Sequence, residues 1–266
     1  MESDKEKDEL EQISSAGVRR IAPRNSDGHF LPDHIAAAVI SETKDIDFRD
    51  GRESVDELWA EGWHLHPGMA HRINYDTFLD RCVKVFPSRY RLCDFRLSKS
   101  MRRVLVKNKD LACIIRPLEI TPDKEYLNTE HNWFRLGEGP RESLAYRWDY
   151  ASLFASTLME VCCYDAEELV AFSIFEVGEQ ATLGDIGVWS PRFAARSLGT
   201  LTILKEIEYA LSIGADHYYF GPFYAQNPNY GYKTRFPGLE LYDWDNKRWV
   251  DFHDQCIPEM LREEFA

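Results

Sequence analysis

Residues 191–236 read PRFAARSLGTLTILKEIEYALSIGADHYYFGPFYAQNPNYGYKTRF: a loop, a helix, a strand and a polar aromatic loop. Ser197 or Thr200 can accept a hydrogen bond from the first free amides of the helix, and Gly199 lets a ligand approach that backbone. The helix start, Ser197-Leu198-Gly199-Thr200, is therefore a candidate cradle for an anion or an ester. Ile203, Ile207, Ala210 and Gly214 recur at the spacing of a buried stripe, with Lys205, Glu206 and Glu208 assigned to another face. Gly214 is the natural stop. Residues 217–220 supply a short aromatic strand that Gly221-Pro222 is expected to break.

A chain of 266 residues with 44% apolar content has room for one large or two small domains with a real core. No apolar run approaches the roughly 20 residues that span a bilayer, so no membrane partner is expected. The acidic start MESDKEKDELEQ resembles neither a secretory nor a transit peptide. The expectation is a soluble, cytoplasmic protein. Six cysteines, none in a Cys-x-x-Cys pair, argue against a disulfide scaffold or a zinc site and for reduced thiols. Cys162 and Cys163, adjacent on a strand, would point to opposite faces. His64 and His66 share a strand face, but no third ligand stands near them, so no metal is expected.

Charge is segregated. The net charge is -13, yet residues 81–109 hold ten basic residues against the single acid Asp94. An anionic partner explains this better than a solvated face. Ser98 caps a helix, SKSMRRVLVKNKDL, with Met101, Val104 and Leu105 on one side and Lys99, Arg102, Arg103 and Lys107 on the other. One side can anchor in the core while the other meets phosphates, for which paired arginines are well suited. Phe86, Tyr90 and Phe95, interleaved with the charges, are open to base stacking or to core packing.

The remaining elements follow from pattern. Residues 54–62 read as a capped helix ended by Gly62, 111–120 as a strand ended near Pro117, and 121–136 as a helix with Pro122 at its first position. Residues 153–164, 169–177 and 181–189 read as three strands. A hairpin turning at Asp245-Asn246 and a closing helix over 255–265 complete the chain. The expected division is an acidic mobile tail at 1–44, a region with the basic helix at 45–140, and a third part at 141–266 after the loop GEGPRES.

Three antiparallel strands, a Gly-bearing turn into a helix and a further strand resemble the core of a GCN5-related N-acyltransferase (GNAT). The fold class expected is thus α/β (α+β), a GNAT-like mixed sheet with flanking helices behind a smaller basic region. LSKSMRRVLVKNKDL in turn resembles the Ser-Arg-Ser-Gln-Arg-Arg helix of the arginyl-tRNA-protein transferases, which carry an amino acid from aminoacyl-tRNA to a protein N-terminus. Ser197-Leu198-Gly199, Lys205-Glu206-Ile207, Tyr218-Tyr219-Phe220-Gly221, Tyr232-Lys233 and Phe236-Pro237 resemble that family's C-terminal signature in the same order, and residues 58–63 its N-terminal turn. The chain is similar to a divergent member. The family's paired N-terminal cysteines are reduced to Cys82, and Asn227-Pro-Asn-Tyr-Gly-Tyr-Lys233 stands where the signature has Cys-Pro-Lys-Met-Arg-Tyr-Lys.

The resemblance implies an aminoacyltransferase that moves arginine, or a similar amino acid, from charged tRNA to the amine of a protein or peptide acceptor. N-terminal Asp or Glu are the candidate acceptors. Aminoacyl-tRNA would be a co-substrate, with no cofactor. Backbone amides at 198–200 would hold the RNA end or the oxyanion, Tyr218 or Tyr219 relay the proton, and Lys233 with Tyr232 and Arg235 bind a carboxylate or phosphate. Lys99, Arg102, Arg103 and Lys107 would bind tRNA. Asp185 and His217 are weaker base candidates. The alternatives are an acyl-CoA-dependent N-acetyltransferase, although Arg196-Ser197-Leu198-Gly199 lacks the second glycine of that motif, and a catalytically silent tRNA-binding relative.

Overall fold

The computed structural model describes residues 18–20, 40–46, 54–66, 69–78, 81–140, 143–145, 157–225 and 228–261. Most of the expected tail, residue 227 and the last part of the expected closing helix lie outside them. The elements are β1 (Val18–Arg20), β2 (Ser41–Asp45), α1 (Val55–Ala60), β3 (His64–His66), β4 (Met69–Ile73), β5 (Tyr75–Phe78), β6 (Arg81–Arg91), α2 (Lys99–Lys107), β7 (Ala112–Pro117) and α3 (Pro122–Leu136). They continue as β8 (Thr157–Asp165), β9 (Glu168–Val177), β10 (Ala181–Trp189), α4 (Leu198–Ser212), β11 (His217–Tyr224), β12 (Leu239–Asp243), β13 (Arg248–Asp251) and α5 (Ile257–Met260). No helix of the described residues is long and apolar enough to cross a membrane.

Two compact units are interleaved in the chain: residues 1–88, 222–235 and 240–266 make the first, and 89–221 with 236–239 the second. The boundary expected near residue 140 falls inside the second unit. The first unit holds a four-stranded sheet of order β1-β2-β4-β3, whose described pairs are antiparallel. Gly62 ends α1 with φ 82°, a conformation glycine takes without steric cost, and Trp63 N–H closes the turn on the Leu58 carbonyl at 3.0 Å. Ser54 occupies the cap position of α1 but its side chain makes no cap bond. The hairpin β12–β13 pairs Asp243 with Arg248, so its turn covers Asp245-Asn246 as expected.

The second unit is built on β7-β8-β9-β10-β11. Adjacent strands are antiparallel through β10, while β10 and β11 are parallel and joined by α4 as a crossover. This is the GNAT order expected from sequence, and the fold is a mixed α/β sheet with flanking helices. Its core has two clusters. Val161, Cys163, Ala171, Phe175, Leu198 and Leu201 lie in one; Leu127, Cys162, Phe172, Ile174 and Val188 in the other. Cys162 and Cys163 thus take opposite faces, as strand alternation requires. α3 is tied to β7 and β8 by a buried ion pair: Lys124 and Arg116 both meet the Glu160 carboxylate, the latter at 2.7 Å.

Three expectations are corrected and one open alternative is decided. Not all thiols are free: Cys113 and Cys163, directly opposite in the β7–β8 ladder, form a disulfide. This pairing depends on strand register, which cysteine spacing does not reveal. Gly221-Pro222 does not end β11, because Gly221 takes φ 61° and the strand runs on to Tyr224. Of the two alternatives left open for Phe86, Tyr90 and Phe95, core packing holds, because all three are buried. Glu206 is no part of an outer face: it is 2% exposed, whereas Lys205 and Glu208 pair outside at 2.7 Å.

Candidate functional site

The sequence before α4 folds into a helical turn, Pro191–Arg196, that brings the chain to Ser197 in the left-handed region, φ 58° and ψ 44°. In that conformation the Ser197 side chain caps no amide, contrary to the capping expected of it. Nor does Thr200 supply a cap; its own N–H bonds the Ser197 carbonyl at 3.1 Å, as does that of Leu201. Among the described residues the amides of Leu198 and Gly199 meet no backbone acceptor, and they lie at the helix start, where the partial positive end of the dipole also is. Gly199 has a structural duty as well, since a Cβ there would come to 3.3 Å of two atoms of the Trp189 indole. That ring packs edge-on against His131 and Phe134 of α3.

The basic helix ends at this same place. Ser98 caps α2 by accepting from Met101 N–H at 3.3 Å, and Met101 is buried while Val104 and Leu105 pack on the first core cluster. Lys99, Arg102, Arg103 and Lys107 are exposed on the opposite side. At its C-terminal end, Lys107 Nζ donates to the Ala195 carbonyl at 2.5 Å and Asn108 Nδ2 to the Arg196 carbonyl at 2.9 Å. Arg196 Nε returns a bond to Asn108 Oδ1 at 2.9 Å, and its guanidinium also meets Asp110, holding that carboxyl below its usual range. Elsewhere the junction of α2 with α4 is open, with a cavity of about 780 Å³ walled by Leu105, Leu111, Leu201 and Leu204. These bonds therefore anchor the end of α2 to the turn that leads into the amide pair.

The two tyrosines sit on opposite faces of β11, and both are buried. Tyr218 Oη donates to Glu206 Oε2 of α4 at 2.5 Å and stacks on Tyr90. Burial pushes the Glu206 carboxyl up to about 7, opposed by the Tyr218 bond and by the Ser173 hydroxyl, which faces it without full hydrogen-bond geometry. Tyr219 Oη accepts from Arg89 at 3.2 Å, and its ring lies 6.2 Å from that of His217. Sequence reading missed Glu206, although a signal was present: it is three residues after Ile203 and four before Ala210, within the buried arc.

In the first unit, Tyr232, Lys233 and Arg235 lie on the helical turn Pro228–Arg235. Arg235 is exposed and Tyr232 half-buried. Lys233 is 2% exposed, and its Nζ donates to the Pro222 carbonyl. Desolvation lowers its ammonium to about 7, so an appreciable share is neutral amine at physiological pH. Among the described residues, no group of three His, Cys, Asp or Glu side chains is placed to hold a metal.

A three-strand antiparallel ladder, a crossover helix with open leading amides and a parallel strand beyond it define a GNAT-like acyltransferase fold. The model of the C terminus of arginine-tRNA-protein transferase matches residues 122–243. An aspartate/glutamate leucyltransferase of Stenotrophomonas maltophilia is 30% identical over 185 residues, 65% of this chain and 70% of the relative. A second, from Leptospira interrogans, is 25% identical over 190 residues, 68% and 74% of the two chains. The chain belongs to this family of aminoacyl-tRNA-protein transferases. Among solved structures, FemX aligns with TM-score 0.44 at 12% identity over 76% of this chain and 69% of its own. L-PGS from Bacillus licheniformis aligns with TM-score 0.42 at 14% identity over 74% and 57%.

Proposed function

We propose that the protein transfers an amino acid from its tRNA ester to the α-amine of a protein or peptide acceptor. The observation that carries this reading is the attachment of the basic helix to the acyl site: Lys107 and Asn108 bond the two residues, Ala195 and Arg196, that lead into Ser197 and the open amides of Leu198 and Gly199. RNA phosphates on the exposed face of Lys99, Arg102 and Arg103 would then continue toward an ester held at the start of α4. The relatives' name moves the expected donor from arginine to leucine, and the expected acceptor is an N-terminal Asp or Glu.

The chemistry asks little of a base. An α-amine titrates near 8, so a sizeable minority is neutral at pH 7. Holding it within about 3.5 Å of the ester carbonyl supplies much of the acceleration, and the amides of Leu198 and Gly199 would stabilise the tetrahedral oxyanion. Within the first unit, Lys233 and Arg235 are the candidates to meet a carboxylate of the acceptor. Incubation with labelled leucyl-tRNA, arginyl-tRNA or acetyl-CoA, each with peptides beginning Asp, Glu or Ala, tests the proposal. The expected product is leucylated Asp or Glu peptide; label arriving only from acetyl-CoA would replace this reading with acetyl transfer.

A further inference from the structure

β10 and β11 pair only over Ala181–Leu183 with His217–Tyr219, among the described residues, although β10 runs on to Trp189. The pairing stops at Gly184, where the register of β10 against β9 also shifts. At this point three elements meet. The Tyr218 phenol reaches from β11 beneath Gly184 of β10, so close that a Cβ at 184 would fall 2.1 Å from Oη, and there meets Glu206 of α4. Ser173 Oγ of β9 faces the same carboxyl without full hydrogen-bond geometry, and Thr182 Oγ1, on β10 opposite Tyr218 in the strand register, is buried with no hydrogen-bond partner among the described residues. Burying a carboxyl and orphaned hydroxyls under a helix lowers stability, and an apolar residue at 206 would pack there at less cost. The arrangement is therefore explained by what it holds in place.

We propose that Glu206 is a positioning residue of the acyl-transfer site: through Tyr218 it fixes the separation of β10 and β11 and keeps the gap between them shaped for the ester. This rests on the transfer reading given above. The ionised carboxylate is the stronger acceptor for the phenol, so the bond tightens as Glu206 loses its proton. The titratable groups facing it are Tyr218 from β11 and Asp185 from β10; β9 offers the uncharged Ser173, and Lys205 and Glu208 of α4 itself are paired to each other on the outer face.

Two measurements on wild type, Glu206→Gln and Tyr218→Phe test this. The first is hydrogen exchange of the amides of residues 184–188, corrected for intrinsic rates, from roughly pH 5.5 to 8.5. For the local opening that breaks the Tyr218 bond while Glu206 stays buried, wild type should gain protection about tenfold as pH rises through the Glu206 titration, opposite in sign to the change in global stability, and both variants should show a flat profile. The second is single-turnover transfer from leucyl-tRNA. Divided by the neutral fraction of the acceptor amine, the wild-type rate should still rise over the same pH range, while the corrected Glu206→Gln rate should be flat and about tenfold to a hundredfold slower at the alkaline end, with unchanged tRNA affinity. A Glu206→Gln protein that keeps the wild-type exchange profile and rate overturns the proposal. So does one whose melting temperature falls while its transfer pH profile stays wild-type, because a purely structural bond would do that. If Glu206→Gln does not fold, Tyr218→Phe carries both tests. If wild type transfers nothing, the functional reading falls, and the exchange profiles still decide whether the pair sets the strand separation.

Discussion

Among the described residues, Glu206 and Lys233 are two buried groups whose ionisation is moved into the physiological range, and both shifts have desolvation as their leading cause. For Glu206 the folded carboxyl titrates above the unfolded one. Its contribution to stability is fully present below the unfolded value of 4.5 and is lost as pH rises to about 7. Wild type should therefore lose on the order of 3 kcal/mol across that window relative to Glu206→Gln, measured by urea unfolding at several pH values. For Lys233 the folded ammonium titrates below the unfolded 10.5, so stability relative to Lys233→Met should rise between about pH 7 and 10. A difference curve that is flat in pH would remove either group from the argument. Both side chains could be named from sequence, but only Lys233 was given a role. Glu206 sits between the base Lys205 and the acid Glu208 of the outer face, which masks its place on the buried arc of Ile203 and Ala210.

Helices and strands were largely legible because their periods were clean. The cap at Ser98, the apolar side of α2, the Pro122 start, the order β8-β9-β10-α4-β11 and the stop at Gly214, with φ 78°, all follow from local chemistry. What was hidden is long-range. The 88-residue separation between Lys107 and Ala195, and the disulfide across β7 and β8, come from packing that no window of sequence contains. Two substitutions probe these junctions. Gly184→Ala drives a methyl into the Tyr218 phenol and should cost about 1–3 kcal/mol or more of stability, whereas Gly199→Ala, facing the Trp189 ring at 3.3 Å, should cost less. Asn108→Ala removes two of the bonds that tie the end of α2 to the turn before α4 and loosens that junction. It should leave overall charge unchanged and weaken transfer more than tRNA affinity, as the RNA would still bind but present its ester less well; equal losses in both would argue against a positioning junction.

For the molecule as a whole, the decisive feature is a basic segment within a chain of net charge -13. Non-specific attraction to polyanions is weak under such a balance, so tRNA affinity should depend on the exposed face of α2 and fall with salt, with a log-log slope of several units. Arg102→Ala with Arg103→Ala should reduce that slope by about 2 without lowering the melting temperature, because both side chains are exposed. The most direct measurement is transfer of labelled leucine from charged tRNA to a peptide with N-terminal aspartate, comparing wild type with this double variant. The account predicts that label reaches the peptide with wild type and falls at least about tenfold with the variant at moderate salt, with part of the loss recovered at low salt. Equal transfer by the two proteins at every salt concentration would contradict it.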